Sequence, residues 1–170
     1  MRKKVIGIIA VVILIVVLYF IYPAVKKMAN PQKVHYHAGF VVFKDDQKID
    51  FSDFKYMRVK PCTEDKDHED SDEDIQAEKA HLHDNVGEVI HIEGEDARFR
   101  DLFINLKYSI DYSNSTAYIN GKKVENFENL NIQPDDSLVV LIGNNKTNHL
   151  QDAVKKEYIE ERASKSVDCD

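Results

Sequence analysis

Residues 34–43 alternate as a β-strand that is apolar on both faces. Gly39, Val41 and Phe43 follow His35 and His37 on one side, and Tyr36, Ala38, Phe40 and Val42 occupy the other. A strand of this kind belongs in the middle of a sheet, so the fold has to be built around it. Residues 44–47 form a polar turn, and residues 48–51 return as the hairpin partner. Further on, Phe99, Leu102, Phe103 and Leu106 recur at i, i+3, i+4 and i+7, which is one apolar helix face lying on the sheet, with Asp96 as its cap. Residues 115–119 read as a strand, Asn120 and Gly121 as a type I′ turn, 122–124 as the return, and 137–142 as a last buried strand. The expected class is α+β, a small mixed sheet with one packed helix.

One segment stands apart from that domain. Residues 5–22 carry no charge over 18 positions, with Arg2, Lys3 and Lys4 before them and Lys26 and Lys27 after. At ~1.5 Å per residue they span ~27 Å, close to the roughly 30 Å hydrocarbon core of a bilayer. The run is longer than the apolar region of a cleavable signal peptide and leads into Tyr22, Pro23, Ala24 and Val25 rather than an Ala-x-Ala site. We therefore expect an uncleaved transmembrane anchor at 5–22 in contact with the lipid bilayer, behind a cytoplasmic tip at 1–4. The heavier positive charge on the N-terminal side puts the rest outside the cell membrane: a linker at 23–33, an extracytoplasmic α+β domain at 34–143 and a tail at 144–170. Leu150, Val154 and Tyr158 give the tail a helical spacing amid many charges, as on a surface helix.

Past residue 29 the chain holds 18 Lys and Arg against all 30 Asp and Glu. That excess repels phosphate backbones, so no nucleic-acid partner is expected. Much of it lies in an insertion at about 62–74, where eight of the eleven residues from Glu64 onward are acidic, too charged a run to order itself. A calcium loop starting at Asp65 fails, because Asp70 and Gln76 stand where Gly and Glu are needed. A short helix over about 72–80 follows. Cys62 and Cys169 are compatible with one disulfide in an oxidising compartment; equally, Cys62 is a free thiol or a metal ligand.

The chemistry concentrates in histidine. Five of the seven histidines fall in three clusters: His35 and His37, then His81 and His83 followed by Asp84, then His91 two residues before Glu93. An i, i+2 pair on a strand puts both imidazoles on one face, ~6.5 Å apart. Residues 84–87 have a turn composition and 88–93 read as a strand, so the register across that turn decides whether His91 joins the others. An odd loop unites them and an even loop separates them; with a five-residue loop, 84–88, His81 and His91 lie directly opposite. Three neutral imidazoles with an open fourth position suit Zn(II) or Cu(II). Asp84 and Glu93 would then orient ligand histidines from behind, or else Asp84 simply begins the turn and Glu93 faces solvent. His68 and His149 read as exposed.

Strand, strand, helix, strand and strand, ending in the residues 134–143, is similar in order to the β-grasp, or ubiquitin-like, fold. Asp101, Leu102 and Phe103, then residues 118–122, then 135–143 resemble the second half of the small sulfur-carrier proteins. Those react through a C-terminal Gly-Gly, whereas Gly143 is followed by Asn144 and a 27-residue extension, so the carrier chemistry does not transfer. A wider resemblance runs from His35 to Gly143. The order His35 and His37, Cys62, His81 to Asp84, Gly87, residues 90–93, 101–103 and 120–122 is similar to a family of small prokaryotic proteins, secreted or held at the membrane by one N-terminal span, which has no established activity. This chain departs from it by the acidic insertion and by Leu82, where a small polar residue is expected.

The reading is a membrane-anchored outward domain that binds Zn or Cu through clustered histidines. A metal-free cell-envelope module that contacts an envelope protein partner is the competing class, and a metal-assisted hydrolase a third. No nucleophile elbow, phosphate loop or dinucleotide fingerprint is present, and no residue is assigned to catalysis.

Overall fold

A computed structural model of the chain describes residue 19, residues 34–58 and residues 72–165. The chain divides into two units, Met1–Gln32 and Lys33–Asp170, and all but one of the described residues belong to the second. The expected anchor at 5–22 lies outside the described residues except for Tyr19, and so do Cys62, Cys169, His68 and most of the acidic insertion. Among the described residues no helix is long and apolar enough to cross a membrane.

The two-faced strand is β1, Tyr36–Lys44, and it lies inside a mixed six-stranded sheet. One edge runs parallel to β6, Ser137–Ile142, every residue of which is buried. Its other edge takes two short antiparallel partners in tandem: β2, Gln47–Lys48, opposite its end, and β3, Val89–Ile92, opposite its beginning. Beyond β6 come β4, Ser115–Ile119, and β5, Lys122–Val124, giving the order β2-β1-β6-β4-β5. Asn120 and Gly121, with φ of 52° and 76°, make the left-handed turn that lets β4 and β5 pair tightly. Asp45 and Asp46 do the same between β1 and β2, where the return strand is only two residues long rather than the expected four.

Each face of the sheet is covered by a different part of the chain. Ala38, Phe40 and Val42 pack with Ile90, Ile92, Leu138 and Val140 under α2, Phe99–Asn105, which contributes Phe99, Leu102 and Phe103. The cap of α2 is not Asp96, which turns with φ of 55°; it is Arg98, whose N–H donates to Asp101 Oδ2 at 2.8 Å. A first helix, α1, Asp72–Lys79, packs against α2, so the sheet carries more than the single helix expected.

On the opposite face Val41, Phe43, Val139 and Leu141 are closed over by Val154 and Ile159 of the tail. Ile159 belongs to α3, Lys156–Ala163, and burial of one such aliphatic side chain stabilises by about 1.5–3 kcal/mol. The tail is therefore a second layer of the core and not a loose surface helix. Gly39 makes this possible: a Cβ there would lie 2.5 Å from Val154 Cβ, so only glycine lets the tail settle onto β1.

Candidate metal centre

Alternation along β1 places His35 and His37 on the face that also carries Val41 and Phe43, beyond the end of the tail's cover. Antiparallel pairing puts His37 opposite His91 of β3, and a further bridge puts His81 opposite His91 on the other side. The His81 and His91 backbones exchange both hydrogen bonds, at 3.0 and 2.8 Å. This is the register in which five residues separate His83 from Val89. It is set by a tight turn at Asp84 and Asn85, both left-handed, closed by Val86 N–H donating to the His83 carbonyl at 3.1 Å. Leu82, between the two histidines, points the other way and is fully buried in the core, which explains an apolar residue there.

His91 is the hub. It is 3% exposed, and its ring centre lies 4.6 Å from that of His35, 4.7 Å from His37, 5.0 Å from His81 and 4.5 Å from His83. Its Nδ1 faces two other ring nitrogens, His83 Nε2 at 2.7 Å and His37 Nε2 at 3.1 Å. His35, the exposed member, offers a ring nitrogen within 4.8 Å of those of His37 and His91. All five sequence-marked histidines thus meet on one face.

Proton positions follow from the partners. A carboxylate or carbonyl only accepts, so the ring nitrogen facing it carries the hydrogen. His83 Nδ1 lies 2.6 Å from Asp84 Oδ2 and donates to it, leaving the lone pair on Nε2. His81 Nδ1 donates to the Ala77 carbonyl at 2.9 Å, which leaves its lone pair on Nε2 as well. His91 Nε2 lies 3.5 Å from Glu93 Oε1, an acceptor, and in the tautomer with the proton on that side the lone pair is on Nδ1. In that tautomer the lone pairs of His83 Nε2 and His91 Nδ1 face each other across 2.7 Å, with His37 beside them. At that separation the two nitrogens share a proton in the metal-free protein, and a metal ion taking its place needs them to open by about half an ångström.

The electrostatics set the state of two neighbours of His91. Burial, then the neighbouring His91 and Arg58 charges, push the His81 pKa down to about 3, so its ring stays neutral and able to ligate. Glu93 is held below the usual carboxylate range, first by its contact with His91 and against the opposing effect of burial, so it stays ionised. Asp84 both begins its turn and orients His83, so the two alternatives read from the sequence are one arrangement.

Two supporting residues were not visible in the sequence. Arg58 is a largely buried guanidinium between Glu78 and Glu93, 3.6 Å from each. Asn105 at the end of α2 donates to the carbonyls of Gln76 at 3.0 Å and Ala80 at 2.7 Å, fixing the end of α1 that presents Ala77 to His81. His149, read as exposed from the sequence, is held elsewhere on the sheet. Its side chain is only 13% exposed, stacked on Phe43 at 3.8 Å and gripped by Asp46 and Asp152, each at 3.0 Å. It sits at the far end of β1, away from the other five. Single polar residues in loops carry no periodicity, so nothing in the sequence marks such partners. Comparison with protein-family models, curated proteins and solved structures gives no match.

Proposed function

We propose that this chain is a membrane-tethered, extracytoplasmic domain that binds one Cu(II) or Zn(II) ion through His37 Nε2, His83 Nε2 and His91 Nδ1, with His35 closing the set from the solvent side. The reading rests on one observation, the convergence of two imidazole nitrogens on the buried His91 Nδ1. An ion with metal–nitrogen bonds of about 2.0–2.1 Å holds tetrahedral nitrogens roughly 3.3 Å apart, so the spacings of 2.7 and 3.1 Å found here must open by about 0.2–0.6 Å to admit it. Neutral imidazole donors select these borderline metals over Mg(II) or Ca(II). The scaffold in this proposal is β-grasp-like, since its central parallel pair is flanked by two antiparallel arms with a helix across one face. The motif order shared with the small prokaryotic secreted or anchored proteins then reflects a common histidine face, and residues 5–22 hold that face outside the membrane.

The test is a competition titration of the full chain, in mild detergent and freed of metal, with Cu(II) and Zn(II) at neutral pH. Tight uptake is expected, weakened by more than about 100-fold in the double variant His37→Ala/His83→Ala, because loss of ligands exceeds the 10–100-fold effect of second-sphere changes. Uptake that ignores both substitutions places the ion elsewhere and ends the proposal.

A further inference from the structure

The site above uses one nitrogen of His91, yet the other nitrogen also faces metal-ligand chemistry. On the Nε2 side lies Glu93 Oε1 at 3.5 Å, and the His81 ring stacks alongside at 5.0 Å and 30°. One ligand atom from each of His81, His91 and Glu93 lies within 4.8 Å of the others. His81 is held in place for this: its Nδ1 proton is committed to the Ala77 carbonyl, its Nε2 keeps the lone pair, and it is 7% exposed. Arg58, 3.6 Å from Glu93, balances the carboxylate while the ring proton is present.

We propose that His91 bridges two transition-metal ions, one on Nδ1 with His37 and His83 and a second on Nε2 with His81 and Glu93. The inference rests on the single-ion reading and extends it to a dinuclear site. When the second ion binds, it takes the place of the Nε2 proton, which leaves to solvent, and His91 becomes an imidazolate. Glu93 changes from accepting that proton to coordinating the ion. Two dications then face one imidazolate and one carboxylate, with neutral histidines completing each set. The ring fixes the ions about 6 Å apart, two metal–nitrogen bonds of about 2.0 Å plus the width of the imidazole.

Cu(II) alone is the probe, added stepwise to the full chain at neutral pH with millimolar Mg(II) present to occupy the acidic run. Bound copper and electron-spin intensity are read together. One equivalent should give one full spin per chain. A second equivalent should bind and lower the total spin, because copper ions joined by an imidazolate couple antiferromagnetically. Glu93→Gln, which keeps the side chain's shape, should stop at one equivalent with its spin intact, and His81→Ala should do the same. Saturation of the wild type at one equivalent overturns the bridge and leaves the single site standing, as do two equivalents with independent spins, or two equivalents in Glu93→Gln. No tight binding at all overturns both readings.

Discussion

His91 and His149 are both largely buried, both lie on the tail-covered face of the sheet and both touch more than one polar group, yet their surroundings differ in kind. Each nitrogen of His149 faces a carboxylate, Asp152 on Nδ1 and Asp46 on Nε2, and two acceptors call for two protons. Burial pulls the His149 pKa down, but hydrogen bonds and charge from Asp152 and Asp46 outweigh it and raise the pKa overall. His149 is therefore a latch: the β1–β2 turn grips the chain beyond β6 through it, and Asp46 also accepts the Lys146 N–H at 2.9 Å. His91 Nδ1 faces two imidazole nitrogens instead, one with its proton committed elsewhere, and such nitrogens, unlike carboxylates that hold the ring protons in place, can turn their lone pairs to a shared metal ion. Burial alone does not identify a metal ligand. What the neighbours donate or accept does.

The comparison breaks most visibly with one substitution at each site. His91→Ala should reduce Cu(II) or Zn(II) affinity by more than about 100-fold, while His149→Ala should leave it within about 2-fold; a chelator-competition titration separates the two. Asp84→Asn, which keeps the turn but weakens the hold on His83 Nδ1, should lower affinity by about 10–100-fold in the same assay without lowering the unfolding midpoint of the metal-free protein. Gly39→Ala forces the tail off β1 and should lose about 1–3 kcal/mol in urea unfolding, with faster amide exchange across Lys156–Ala163 and little change in metal affinity.

A last difference is one of pH, and the two regions give it opposite signs. His81 has a folded pKa near 3 against an ordinary 6.5, so in the metal-free protein the unfolded chain binds the extra proton between those values. Stability is lost there as pH falls, by at most about 1.4 kcal/mol per unit. His149 has a raised folded pKa, so its contribution is full below 6.5 and disappears as pH rises through the folded value. Asp46, with its pKa lowered chiefly by the Lys146 N–H and then by His149, adds stability above 3.8 that is lost as pH falls through its folded value. The gap in urea midpoint between the wild type and His149→Ala should therefore be widest between about pH 4 and 6.5 and narrow above neutrality. A gap that widens toward alkaline pH would remove the latch.

Much of this architecture was legible because it depends on periodicity. The two apolar faces of residues 36–43 require cover on both sides, Asn120 and Gly121 specify their turn, and the spacing from Phe99 to Leu106 specifies its helix. The histidine face was half legible. Parity put His35 with His37 and His81 with His83, but bringing the pairs to His91 required a register that sequence left open, and the left-handed turn at Asp84 and Asn85 is what chose it. The role of the tail was hidden because it depends on one close approach, Val154 over Gly39, between residues 115 positions apart. Arg58 and Asn105 act through single polar contacts that leave no pattern along the chain.

X-ray absorption at the zinc edge, on the full chain loaded with one equivalent of Zn(II), reads the ligand set itself. A nitrogen shell at about 2.0–2.1 Å is expected, with outer-shell scattering from at least three imidazoles, a count that falls by two in His37→Ala/His83→Ala. A shell of oxygen neighbours, or a histidine count unchanged by those substitutions, would contradict the proposed site.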